Sequence, residues 1–256
     1  PTAVLSTHTG GFTGFTYRDL TEDLLPMAEH WKQVGCRFQS LYSGFLGSAG
    51  QIGLVEQIFD WFREENTLVM VDPVMGDGGK LYKTYTPEMA SGMARLCGRA
   101  DIVVPNMTEA HHLLEREYDL GPYTRQQIEG ILKGLCALGP RMAVLTGVWL
   151  KEGSLGTACY DAATGEAELY LTDRIEGFYH GTGDLFASAL LGGLLNGMSL
   201  NAACETATEF TWRTIETTHE KCADHRFGPK FECHLPWLGE KMEACRKTIA
   251  NPADLR

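Results

Sequence analysis

Short runs of β-branched and apolar residues alternate with amphipathic helical stretches along most of this chain, and that alternation limits the fold more than any other feature. The run TLVMV at 67–71 reads as a fully apolar strand, the pattern of a parallel strand covered on both faces. Runs at 2–6, 37–43, 101–104 and 142–145 read as further strands. A helix is predicted over 21–34, where Leu24, Leu25, Ala28 and Trp31 recur at helical spacing, and another over 48–65, where Ile52, Val55, Ile58, Phe59 and Phe62 form one stripe. Ser48-x-x-Gln51 and Thr124-x-x-Gln127 have the spacing of capping boxes. Further helices are expected at 87–97, 108–117, 124–138, 181–196, 200–217 and 235–250. Antiparallel strands are expected at 156–162, 166–171 and 174–176. The β-α order predicts an α/β fold around a mostly parallel sheet, in a single domain.

Composition narrows the function. The 256 residues carry 22 Lys and Arg against 33 Asp and Glu, a net charge of −11, and no basic run. Nucleic-acid binding needs clustered cations, so this class is set aside. The longest apolar stretch, 185–195, is broken by glycines and falls short of the ~20 residues of a membrane span. No charged leader segment is visible. The eight cysteines are scattered without paired spacing, which predicts reduced thiols and a cytoplasmic location.

In open α/β sheets, ligands sit beyond the carboxyl ends of the strands. Polar and glycine residues gather there: His8-Thr9-Gly10-Gly11, Ser43-Gly44-Phe45, the loop 72–80, Pro105-Asn106 and Thr146-Gly147. Gly181-Thr182-Gly183-Asp184 directly precedes an apolar helix. Small residues there leave amide N–H groups free to meet an anion, and a first-turn carboxylate can accept a hydroxyl proton beside them. The same residues also suit a tight turn followed by a favourable first-turn acid. Asp72 and Asp77, in a glycine-rich loop, suit Mg²⁺ with phosphate and equally a solvated turn. Asn106-x-x-Glu109 has the form of a helix cap. Gly76-x-Gly78-Gly79-Lys80 lacks P-loop spacing, because Leu81 follows the lysine. The group His219, Cys222, His225, Cys233 and His234 has no common zinc spacing and reads as core thiols and surface imidazoles.

Taken together and in order, these pieces resemble the ribokinase-like superfamily, and pyridoxal (pyridoxine/pyridoxamine) kinases most closely. The resemblance rests on Gly181-Thr182-Gly183-Asp184, Asp72-Pro73-Val74-Met75-Gly76-Asp77 with Leu81-Tyr82, Pro105-Asn106-x-x-Glu109-Ala110 and Leu145-Thr146-Gly147. Ser6-Thr7-His8-Thr9-Gly10, Ser43-Gly44-Phe45-Leu46-Gly47-Ser48 and Arg226-Phe227-Gly228-x-x-Phe231-Glu232 add to it.

The resemblance implies a three-layer α/β/α sandwich and ATP-dependent phosphorylation of the 5′-hydroxymethyl group of B6 vitamers. It casts Asp184 as the base and the amides of Gly181, Thr182 and Gly183 as the anion hole. Asp72, Asp77 and Glu109 would organise Mg²⁺, and Asp77, Tyr82, Asn106, Glu109 and Thr146 would lie along the nucleotide. His8, Thr9 and Phe45 would line the pyridine pocket. A monovalent cation (K⁺ or Na⁺) and a homodimer are further implications. Phe45 stands where many relatives carry Tyr, and Leu5 where several carry Phe. Relatives also begin with another strand, glycine turn and helix, so residues 1–256 are expected to form one kinase domain lacking its native N-terminal strand and helix. The alternatives are a hydroxymethylpyrimidine kinase of thiamine synthesis and a catalytically silent B6-binding protein.

Overall fold

A computed structural model of the chain describes residues 1–8, 11–82, 85–222 and 224–249. Two short strands, β1 (Ala3–Leu5) and β2 (Tyr17–Asp19), lead into α1 (Thr21–Gln33). Next come β3 (Ser40–Ser43), α2 (Ala49–Phe62) and β4 (Leu68–Val71), then a miniature hairpin of β5 (Gly76–Asp77) and β6 (Lys80–Leu81). α3 (Pro87–Cys97), β7 (Ile102–Val103), α4 (Met107–Leu113) and α5 (Arg125–Ala137) precede the long strands β8 (Met142–Val148), β9 (Ser154–Asp161) and β10 (Glu166–Asp173). Helices α6 (Thr182–Leu195), α7 (Leu200–Lys221) and α8 (Leu235–Ile249) complete the described chain.

The main sheet has the order β10-β9-β8-β7-β4-β3. Its β3, β4, β7 and β8 strands are parallel, and β9 and β10 add antiparallel strands at one side. Alternate residues divide it between two cores. Val69, Val71, Val103, Ala143 and Leu145 face the layer that contains α2, α3 and α5, whereas Met70, Ile102, Met142 and Val144 face α6 and α7. This is the three-layer α/β/α arrangement, and the double coverage explains why TLVMV has no polar face. Trp31, Phe38 and Phe62 meet edge to face inside the first core.

Several local expectations change. Residues 2–6 do not enter the main sheet: β1 pairs antiparallel with β2, and Val4 stays exposed. Three residues with an exposed centre cannot act as a doubly covered strand. The loop 72–80 contains the β5–β6 hairpin, and 174–176 forms no strand. The Thr124 box closes as expected, but the Ser48 box does not. Ser48 Oγ accepts from the Gln51 N–H at 3.3 Å, yet the Gln51 side chain turns elsewhere. Its Oε1 accepts from Gly47 N–H at 2.7 Å, and its Nε2 donates to the Thr2 carbonyl at 2.9 Å and to Thr21 Oγ1 at 3.0 Å. Gln51 is fully buried, so it fastens α2 to the β1–β2 ribbon.

All eight cysteines are free thiols. Among the described residues, no helix is long and apolar enough to cross a membrane. Replacing Gln51 with Ala should leave the partners of its amide unsatisfied, at a cost of about 2 kcal/mol. Urea unfolding should show that loss, and limited proteolysis should show earlier cleavage before Thr21.

Candidate active site

The carboxyl ends of the parallel strands carry the site. Asp72 follows β4, and its backbone N–H donates to the Ser43 carbonyl at the end of β3 at 2.8 Å. The next residues turn into the β5–β6 hairpin, which α4 holds from below. Asn106 caps α4: its Oδ1 accepts from Glu109 N–H at 2.9 Å, and Glu109 Oε2 accepts from Asn106 N–H at 2.8 Å. The Asn106 amide also donates to the Gly76 carbonyl at 2.8 Å, while Glu109 Oε1 accepts from Met75 N–H at 2.9 Å. Thr108 Oγ1 receives the Gly79 N–H at 2.9 Å. The Tyr118 ring covers Gly79 so closely that a Cβ there would lie 2.5 Å from it. Thr146, on β8, lies beside Asn106 through an isolated parallel bridge.

α6 brings Asp184. Gly181 caps this helix in the left-handed region, φ 88°, which glycine adopts without strain. The Thr182 hydroxyl donates to the Tyr179 carbonyl at 3.0 Å and closes the turn. Thr182, Gly183 and Asp184 form the first helical turn, whose N–H groups have no helical acceptor. Asp184 keeps solvent access.

Electrostatics shows which of these groups share one space. The phenol of Tyr82 is pushed up to about 12, first by burial and then by the negative charges of Glu109, Asp77, Asp72 and Asp184. All four acids singled out in the sequence therefore act on a single hydroxyl. Burial, followed by the charge of Asp184, raises the Asp72 carboxyl to about 7. Burial also raises Asp184. Glu109 is pushed well above the usual carboxylate range by burial and by Asp72, against the pull of the Asn106, Met75 and Gly76 amides.

These acids fit Mg²⁺ of one kind. Among the described residues, no group of three or more His, Cys, Asp or Glu side chains is gathered tightly enough to cage a metal, and Glu109 already holds backbone amides. Mg²⁺ commonly keeps its waters and uses one or two carboxylates together with substrate phosphates. Asp72, buried and repelled by Asp184, is a carboxylate that a cation would relieve.

The pyridine-pocket candidates are placed less uniformly. His8 Nε2 donates to the Arg226 carbonyl at 2.6 Å, and its ring lies 4.5 Å from that of His180, just before the Gly181 turn. Phe45 is 40% exposed and lines a cavity of about 350 Å³ along β3 with Tyr42, Ser43 and Gly44. Thr9 lies outside the described residues. A larger cavity, about 620 Å³, opens at the amino ends of β4 and β8, away from the acids. Two of the three C-terminal imidazoles pair with hydroxyls, His219 with Tyr179 at 2.8 Å and His234 with Thr217 at 2.8 Å, and His225 stacks on the Tyr179 ring at 4.8 Å. Tyr42, Thr108 and Tyr118 escaped sequence reasoning, because nothing in their local spacing reveals contacts made across loops.

The raised carboxyls make stability depend on pH. A native carboxyl that holds its proton to higher pH than the unfolded one stabilises the fold fully below its unfolded value and loses that contribution as pH rises. For Asp72 the window runs from about pH 4 to about pH 7. In the metal-free protein, stability should fall across it by up to ~1.4 kcal/mol per pH unit relative to Asp72→Asn. Urea unfolding in EDTA at several pH values measures the difference; parallel curves for the two proteins would contradict it.

A family model described as phosphomethylpyrimidine kinase matches residues 34–229. A pyridoxine/pyridoxal/pyridoxamine kinase from Bordetella avium is 30% identical over 189 residues, covering 70% of this chain and 60% of that protein. The chain thus spans less than two thirds of that relative's length. A Bacteroides thetaiotaomicron structure, assigned as a phosphomethylpyrimidine kinase and solved with pyridoxal, is similar at TM-score 0.88 and 33% identity, covering 93% of this chain and 84% of that one. Pyridoxal kinase from Lactobacillus plantarum gives TM-score 0.83 and 29% identity, covering 95% and 85%. The three-layer architecture is thus the ribokinase-like fold. With more than half of its length matched by the family model, the chain belongs to the phosphomethylpyrimidine kinase family.

Proposed function

We propose that this chain is an ATP-dependent pyridoxal kinase, transferring the γ-phosphoryl group of ATP to the 5′-hydroxymethyl group of pyridoxal, pyridoxine or pyridoxamine. The observation that carries the reading is the first turn of α6. There a solvent-reachable carboxylate, Asp184, sits beside free N–H groups, and its charge is felt by Tyr82 together with those of Asp72, Asp77 and Glu109. The similarity to B6 kinases and to a structure holding pyridoxal supports the choice of substrate.

Phosphoryl transfer depends mainly on positioning and on stabilising charge. Asp184 accepts the hydroxymethyl proton as that oxygen bonds to the γ-phosphorus and the bond to ADP breaks. The amides of Gly181, Thr182 and Gly183 stabilise the charge on the moving phosphoryl oxygens. Tyr82, Asn106 and Thr146 lie along the nucleotide, with Asn106 acting through its hold on Gly76. Asp72, with Asp77 and Glu109, would hold Mg²⁺, which when bound offsets the phosphate charge. His8, Thr9 and Phe45 border the ring of the vitamer. The reading takes residues 1–256 as a single kinase domain. It extends to a K⁺ or Na⁺ ion near the α6 turn and to a cytoplasmic homodimer; the eight free thiols suit a reducing compartment.

Hydroxymethylpyrimidine is the second substrate to test, because the family model and a thiamine biosynthetic bifunctional enzyme from Arabidopsis thaliana, 26% identical, both match. Its hydroxymethyl group on a nitrogen ring would meet Asp184 in the same way. ATP consumption should be followed with the three vitamers and with hydroxymethylpyrimidine in parallel. At least one vitamer should turn over faster than the pyrimidine, and Asp184→Asn should lose about 10²- to 10⁴-fold in kcat. Loss of rate when tetramethylammonium replaces K⁺ and Na⁺ would support the monovalent site. No turnover of any vitamer would overturn the proposal, and full activity of the Asn variant would overturn the role of Asp184.

A further inference from the structure

Tyr42 stands in the site without a function so far. It lies on β3 opposite Met70 of β4, and Met70 belongs to the core under α6. Register partners in a parallel pair share a face, so Tyr42 leaves the sheet on the side from which α6 presents Asp184. The ring leans toward the carboxyl end of its strand, with its hydroxyl 3.6 Å from the position a Cβ on Gly44 would take. The hydroxyl makes no hydrogen bond among the described residues.

The surroundings fix its chemistry. Burial, then the charges of Asp72 and Asp184, push the phenol far above its ordinary value. A tyrosine hydroxyl is a hydrogen-bond donor, and here it lies on the side of the sheet from which α6 presents Asp184. Every other polar side chain argued to meet the vitamer ring lies on the His8–Thr9 segment. Phe45 offers a ring face and no hydroxyl, where many pyridoxal kinases carry Tyr.

We infer that Tyr42 is a specificity-determining residue of the vitamer pocket, its hydroxyl donating to the ring hydroxyl oxygen of the bound pyridine and replacing the donor that Phe45 lacks. This rests on the B6-kinase reading. The hydroxyl of a hydroxypyridine is acidic, and its oxygen accepts a hydrogen bond strongly once ionised. A pyrimidine ring without that hydroxyl would leave the phenol unpaired. The contact therefore favours B6 vitamers over hydroxymethylpyrimidine, since a polar group left without its partner penalises the wrong substrate.

The experiment compares wild type, Tyr42→Phe and Tyr42→Phe/Phe45→Tyr on pyridoxal and on 3-deoxypyridoxal, with ATP varied separately. Thermal melting of each protein controls for folding. The Phe variant should raise KM for pyridoxal about tenfold, consistent with loss of one hydrogen bond, with KM for ATP unchanged and kcat within about twofold. Wild type should lose the same factor on the deoxy substrate, the Phe variant should not distinguish the two substrates, and the double variant should recover KM. A Phe variant that matches wild type on pyridoxal would overturn the inference, as would one that loses kcat and ATP affinity alike. Wild type inactive on every vitamer would instead overturn the proposed function, and this inference would fall with it.

Discussion

Glu109 is a carboxylate placed where carboxylates are costly, almost sealed from solvent under the β5–β6 hairpin. It is tolerated because both oxygens accept backbone N–H groups, from Asn106 and from Met75. Burying such a charge without partners would cost several kcal/mol. Asn106 returns the bond to Glu109 and reaches across to Gly76 with its amide. Two side chains thereby join the end of β7, the start of α4 and the loop after β4. The position of Asp72, Asp77 and Tyr82 relative to the sheet depends on that knot.

The second organising element is the α6 turn, and it works differently. The hairpin is held by side chains reaching backbone, whereas the α6 turn is shaped by a left-handed glycine and left open. Its N–H groups have no internal acceptor, and Asp184 reaches solvent. The charge of Asp184 adds to burial in raising the Asp72 carboxyl, and the phenols of Tyr42 and Tyr82 are raised by both acids after burial. Under the proposed function, ligands that bring positive charge to the acids and negative charge to the amides would relieve both at once.

Much of this was legible in the sequence where the determinants are local. Gly181-Thr182-Gly183-Asp184 before an apolar helix announces its own N-terminus, and Asn106-x-x-Glu109 announces a cap. The parallel sheet followed from TLVMV, since a strand with no polar side must be covered twice. What stayed hidden depends on distant partners. Period-2 alternation does not say which strand a run will join, so residues 2–6 read as a first sheet strand and pair instead with Tyr17–Asp19. Gln51 has the spacing of a cap partner, yet Gly47, Thr2 and Thr21 draw its side chain away. Tyr118 over Gly79 and Tyr42 over Gly44 are contacts of shape, and no motif encodes them.

The Glu109–Asn106 knot holds the β5–β6 hairpin to an otherwise independent sheet. Amide hydrogen exchange of wild type and Glu109→Gln tests it most directly, because exchange reports local opening segment by segment. The amides of Met75, Gly76 and Gly79 should lose protection in the variant while those of β4 and β8 keep theirs. Unchanged hairpin protection, or loss spread evenly across the sheet, would contradict it.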